Sequence, residues 1–390
     1  MATEWKKVRL GDIATFSNGI NFGKESYKAG VKLIGVSNFG NRFFPDYDEL
    51  EEVDENVLRP NDYLKNGDIV FVRSNGNKEL VGRCMLIQNP PSTVTYSGFC
   101  IRARLNNIDE NCPSFFAYYF KSKDFRKAMS NTAVGANIQN LNQGLLSNHI
   151  FYLPPLETQQ KIAGILSAYD DLIENNRKQI KLLEEAAQKL YKEWFVKLNF
   201  PGHENVKIVD GVPEGWKKEK LENWCRVFTG KKNANQDVEK GIYPFFTCAP
   251  VPLLSNDSLY EGKAVIISGN GSYTGRTQYY DGNFDLYQRT YACVRQKQED
   301  YEYMPFIYYS MKILFEPIKM GGTKGSAIPY IVMADITNTE FLYQYDICKK
   351  FSIFAESVLD KIQILQKQIR LLQSARDKLL PRLMNGDINV

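Results

Sequence analysis

The sequence predicts an α+β protein: two β-rich globular domains separated by two long helices packed as a coiled coil, with pseudo-twofold symmetry from an internal duplication. Three observations predict it. The chain repeats its own motifs in the same order, each repeat closes in an apolar heptad seam, and the segments between seams are short, aromatic and broken by Gly.

The repeat opens with "EWKKVRLGDIATFSNG" (Glu4 to Gly19), answered by "GWKKEKLENWCRVFTG" (Gly215 to Gly230). Trp5-Lys6-Lys7 matches Trp216-Lys217-Lys218, Leu10 matches Leu221, and Phe16 and Gly19 match Phe228 and Gly230 with one residue deleted. Next, "GDIVFVRSNGNKELVGRC" (Gly67 to Cys84) and "GKAVIISGNGSYTGRT" (Gly262 to Thr277) both read as an apolar strand, a Ser/Asn/Gly turn and then Gly-Arg. "PSFFAYYF" (Pro113 to Phe120) finds its partner in "MPFIYYSM" (Met304 to Met311). Such matches in one order mark a duplication.

Each copy ends in a helix. In the first, Ile162, Tyr169, Asn176, Leu183 and Leu190 recur every seven residues, with Leu166, Ile173, Ile180, Ala187 and Trp194 between them. In the second the series are Phe351, Val358, Leu365, Leu372 and Leu379, with Ala355, Ile362, Ile369, Arg376 and Leu383. Sustained heptads of this kind are the signature of a coiled coil. Pro154-Pro155 stops the preceding strand, Asn199 to Gly202 closes the first helix, and Pro381 with Asn385-Gly386 closes the second. With no other long helix in the sequence, the two are expected to pack on each other. Asn176 and Arg376, polar among apolar neighbours, either set the register of such a pair at some cost in stability or lie at the frayed edge of its interface.

A chain of 390 residues has material for two or three domains, and 43% hydrophobic with 24% charged residues is ordinary for a globular protein. No apolar run approaches the ~20 residues that cross a bilayer, and "MATEWKKVRL" lacks the apolar core of a signal peptide, so a cytoplasmic location without membrane contact is expected. Seven Cys without a C-x-x-C pair and only two His speak against a metal site. A net charge of +4 permits nucleic-acid binding without demanding it.

No enzymatic constellation emerges. Asn89-Pro90-Pro91 follows an apolar strand as in amino-methyltransferases, but Ser92 stands where an aromatic ring would stack on a target base. "SGNGSYTG" has the wrong spacing for a dinucleotide fingerprint. Asp257, with Glu261-Gly262-Lys263, resembles part of a nuclease metal site, yet its carboxylates are too close and lie before the strand rather than on it. What remains is a set of polar, basic and aromatic loops: Arg73, Asn75, Asn77, Lys78 and Arg83; Asn137, Gln139 and Asn140; Asn270, Tyr273, Arg276 and Gln278; Lys324 and Ser326. Asn, Gln and Arg carry the paired donors and acceptors that read purine edges in the major groove, and Lys, Arg and loop amides meet phosphates.

These features together resemble the specificity subunit of Type I restriction-modification systems. The likeness covers the whole chain. It rests on the Trp-Lys opening of each half, on "YLPPLETQQKIAGILSAYDDLIENNRKQIKLLEEAAQKLY" and on the closing "LLQSARDKLLPRLMNGDINV"; the second half departs from it at "YQYDICKK" (Tyr343 to Lys350). The resemblance implies target-recognition domains at residues 1–153 and 201–345. It also implies a first spacer helix at 154–200 and a second, with the tail, at 346–390. Each domain would read one half of a bipartite double-stranded DNA target. The helices would set the spacing and dock two modification subunits, with restriction subunits as further partners. The chain itself would bind no cofactor and do no catalysis; S-adenosylmethionine, ATP and Mg belong to the partners. A scaffold without DNA specificity, or the non-catalytic part of a fused methyltransferase-nuclease, are the rival readings.

Overall fold

The computed structural model describes residues 5–40, 42–74, 81–131, 140–297, 302–315, 330–388 and 390. The chain divides into two compact units, residues 1–175 with 369–390, and residues 176–368. The division falls inside both long helices, Leu156–Tyr191 and Tyr345–Met384, so each unit is a β-rich body joined to one half of each helix.

In the first unit a four-stranded antiparallel sheet runs in the order Ala14–Asn18, Cys100–Leu105, Ile69–Val72, Cys84–Leu86. Beside it Glu51–Val53, Val31–Ile34 and Val94–Tyr96 form a three-stranded sheet whose last pair is parallel. In the second unit the corresponding order is Cys225–Thr229, Thr290–Arg295, Tyr260–Ser268, Thr277–Leu286, Tyr243–Phe246, Leu253–Ser255, with one parallel pair between Thr277–Leu286 and Tyr243–Phe246. The ten-residue strand Thr277–Leu286 thus does the work of two strands in the first unit, Cys84–Leu86 and Val94–Tyr96. Asn89-Pro90-Pro91 explains the split. Proline cannot donate to a ladder, and Asn89 turns the chain at φ +43 while its N–H donates to Asn66.

The repeated motifs fall at matching places. Helices Pro113–Lys121 and Met304–Leu314 both carry Pro in their first turn and bury most of their side chains. Strands Lys6–Arg9 and Lys217–Lys220 pair antiparallel with Ile150–Leu153 and Glu340–Tyr343. The tryptophan that opens each repeat covers a helix end: Trp216 lies 4.8 Å from the Phe200 ring, and Trp5 rests against Gly386. Gly19 and Gly230 are matched because nothing else fits. A Cβ on Gly19 would stand 2.3 Å from the carbonyl oxygens of Tyr96 and Ser97, and one on Gly230 would stand 1.8 Å from that of Leu286.

Inside each unit the two helix halves pack antiparallel. Ile162 and Leu166 share a core with Leu380 and Leu383 in the first; Ala187 and Tyr191 share one with Phe351, Ala355 and Ile362 in the second. The seam drifts from the strict heptad. Asp170 is buried where Tyr169 was expected, and Tyr191 and Phe195 replace Leu190 and Trp194. Asp170 lies four residues after Leu166, Tyr191 four after Ala187 and Phe195 four after Tyr191, so i, i+4 rows of the 3.6-residue helix widen the buried face beyond the heptad positions. Two endings also differ from expectation. The first helix leaves its α geometry at Lys192–Val196 through a π-type turn, and the second runs through Pro381 to Met384, ending in Gly386 at φ +74. Pro381 sits in the last turn, where only one ladder bond is forfeited.

Both polar seam residues are inside. Asn176 donates to Gln368 at 3.2 Å in the second unit. In the first, Arg376 forms a buried ion pair with Asp170, whose other oxygen accepts from Tyr118 at 2.7 Å. Burial, reinforced by that carboxylate, raises the Tyr118 pKa and keeps its hydroxyl a donor. The second unit solves the same position without charge. Leu359 follows Phe351 by as many residues as Asp170 follows Ile162, Ala187 follows Ile162 as Arg376 follows Phe351, and Tyr309 matches Tyr118 in the repeat. All three are buried in one core, where the Tyr309 hydroxyl has no hydrogen-bond partner among the described residues. Tyr309→Phe is therefore expected to be neutral or to stabilise by up to ~1 kcal/mol. Tyr118→Phe should cost ~1–3 kcal/mol, because it strips a donor from a buried carboxylate. Thermal unfolding of the two variants side by side tests the difference.

Candidate nucleic-acid interface

In the first unit the apolar strand Ile69–Val72 delivers Arg73 to the rim of the sheet. Arg73 N–H donates to the Phe99 carbonyl at 2.8 Å, Leu141 N–H to the Arg73 carbonyl at 3.0 Å, Val72 N–H to Arg83 at 2.9 Å and Gly82 N–H to Val72 at 2.9 Å. The second unit repeats all four. Gly269 N–H donates to Arg289 at 2.9 Å, Ile331 N–H to Gly269 at 2.8 Å, Ser268 N–H to Arg276 at 2.9 Å and Gly275 N–H to Ser268 at 2.9 Å. Peptide groups thus fasten three loops of each unit into one surface, and the side chains on them differ between units.

The candidates divide accordingly. Arg73, Arg83 and Asn140 gather around the clamp of the first unit, and Asn140 is exposed. Arg73 is partly spent on structure, donating from its guanidinium to the Gly98 carbonyl at 3.3 Å. In the second unit Arg276 lies over the ring of exposed Tyr273 at 5.5 Å, an amphipathic pair of the kind that can lie along a base or the sugar-phosphate backbone. Asn270 bridges to Tyr330 and accepts from the Cys248 thiol at 3.1 Å. Gln278 stands on the strand opposite Ile266. Asn75, Asn77, Lys78, Asn137, Gln139, Lys324 and Ser326 lie outside the described residues.

The structure corrects the reading of one enzymatic motif. Glu261 and Lys263 lie on the strand Tyr260–Ser268, not before it, and Lys263 is paired with Glu356. Asp257 is held by Lys232 at 2.7 Å, which also binds Asp285 at 2.6 Å and Ser255 at 2.8 Å, so its carboxylate serves to pin loops. Among the described residues no cluster of His, Cys, Asp and Glu could hold a metal, and no helix is long and apolar enough to cross a membrane. Sequence reasoning passed over Phe99 beside the clamp of the first unit and Cys248, Arg289 and Tyr330 beside that of the second. The signal was available in the paired turns "SGFC" and "YQRT", each leading into the strand beside the clamp.

Residues 2–185 match the model of the Type I restriction modification DNA specificity domain. The chain is similar to the Type I restriction enzyme MjaIX specificity subunit of Methanocaldococcus jannaschii, at 28% identity over 71% of this chain and 69% of that one. It is similar to the putative MjaX specificity subunit of the same organism at 24% identity over 99% and 94%. The fold is that of the crystal structure of a Type-I restriction-modification S subunit from M. genitalium, with a TM-score of 0.59, 16% identity, and 98% and 96% of the two chains covered.

Proposed function

We propose that the chain is a DNA specificity subunit of a Type I restriction-modification system, each unit reading one half of a bipartite DNA target. The observation that carries this is the duplicated clamp: identical main-chain bonds present different side chains in the two units. A protein reading two unlike half-sites with one framework needs such a division. Loop amides, Lys and Arg meet phosphates and set position, while the variable side chains meet base edges.

The long helices, in this reading, fix the distance between half-sites and dock two modification subunits. Both expose large apolar side chains that a partner would bury, Leu172 and Leu371 in one unit, Leu182 and Ile364 in the other. Methyl transfer with S-adenosylmethionine, and ATP- and Mg-dependent restriction, fall to the partner subunits; this chain contributes recognition.

Expression with the modification subunit encoded beside it, in a host without DNA methylation, tests the proposal. Long-read sequencing should show methylated adenines in a two-part motif with a fixed gap that vanishes when this chain is omitted. Binding of the complex to that motif should also fall steeply with salt, by about 10³–10⁵-fold from 50 to 200 mM if 6–10 phosphates are contacted. A scaffold without DNA specificity would show neither the motif nor the slope.

A further inference from the structure

Each unit holds one tight turn by several main-chain bonds. In the first it is Ser97 to Cys100, closed by Cys100 N–H donating to Ser97 at 2.9 Å; in the second it is Tyr287 to Thr290, closed by Thr290 N–H donating to Tyr287 at 3.0 Å. Main-chain bonds pin both turns from three sides. Ser97 N–H donates to Ile34 and Tyr287 N–H to Phe246, at 2.9 and 3.0 Å; Gly98 N–H donates to Ile20 and Gln288 N–H to Lys232, at 2.6 and 2.9 Å. The third side is the clamp, in which the carbonyls of Phe99 and Arg289 accept from Arg73 and Gly269. What this fastening leaves outward is the third side chain: Phe99, 57% exposed, and Arg289, also exposed.

A single exposed aromatic ring is ordinary by itself. The recurrence of the position is not, nor is its company. Among the described residues the Arg289 guanidinium makes no hydrogen bond or ion pair, while its turn touches Cys248 and lies one strand-end from Asn270. A phosphate anchor common to both units would need a donor in both, and Phe99 has none. The position therefore varies in chemistry while its main chain does not.

Resting on the reading of each unit as a half-site reader, we infer that Phe99 and Arg289 are specificity-determining residues. Arg289 takes the O6 and N7 acceptors of a guanine in the major groove, and Phe99 takes the methyl group of a thymine, the base contacts their side chains suit. Each turn tip then reads one base pair of its own half-site.

The test is the methylation motif of the whole complex, with the modification subunit present and Phe99→Ala or Arg289→Ala in this chain. Both side chains are exposed, so the fold should survive. Arg289→Ala should relax one guanine position in one half-site, with roughly 10- to 100-fold less discrimination there. Phe99→Ala should relax one thymine position in the other half-site, and neither variant should change the gap. Motifs identical to the parent's would overturn the inference and leave the function standing. A uniform weakening without loss of base preference at any position would also overturn it, by making Arg289 a phosphate contact. No two-part motif from the unaltered chain would remove the functional reading, and this inference with it.

Discussion

Arg376→Ala should lower stability by about 3–5 kcal/mol, because it breaks a buried ion pair from one side. The guanidinium and the Asp170 carboxylate it holds are 9% and 3% exposed. Removing the cation strands the carboxylate among Ile162, Leu166 and Leu380 with only Tyr118 as donor. The double variant Asp170→Leu with Arg376→Ala copies what the second unit already has, Leu359 and Ala187. It should recover most of the loss, since replacing both members of a buried pair by packed apolar groups is often neutral. Urea unfolding of the three proteins decides the matter. Equal losses for the single and double variants would show that the pair matters for more than its charge.

A paired deletion of one heptad, one from each long helix beside Asn176 and Gln368, should change the gap in the target or abolish methylation while leaving both half-sites intact. Seven residues of helix span ~10 Å, which is about three base pairs of B-DNA. Over three base pairs the duplex turns by roughly 100°, given 10–10.5 pairs per turn, whereas a heptad returns the helix pair almost to its starting angle. Translation is matched and rotation is not, so loss of methylation is the stronger expectation, with a changed gap where the DNA twists to compensate. Mapping methylated adenines in the host tests this. An altered half-site beside an unchanged gap would refute the spacer role.

The duplication and the helices were legible because periodicity survives any change of letters: Trp5 and Trp216, Gly19 and Gly230, and the recurring Leu and Ile stand at fixed intervals for geometric reasons. The seam could not be read to the residue. Tyr169 looked like core by count, but Asp170, four residues after Leu166 on the same helical row, is the buried one. Asn89-Pro90-Pro91 read as a turn, and its role as the break in a strand appears only beside the unbroken Thr277–Leu286. The reading surface was the least legible part. Whether an arginine faces solvent or its own loop depends on contacts far apart in sequence, so Arg73, which donates to Gly98, was singled out while exposed Arg289 was passed over. Arg289 itself sat in a plain turn whose pinning partners lie far off in sequence, Gln288 N–H reaching back to the Lys232 carbonyl.

The clamp has a consequence for how such a protein can change. Nearly every bond that shapes its surface comes from peptide groups, which all residues share. A codon altered at Phe99, Tyr273 or Arg289 removes none of those bonds, so a new sequence preference arrives without a folding defect to be repaired afterwards. Only where main chain crowds main chain, as at Gly19, Gly230 and Gly269, is the letter frozen. Heritable variation is thereby channelled into the exposed side chains of these loops, and the frame on which they stand is sheltered from it.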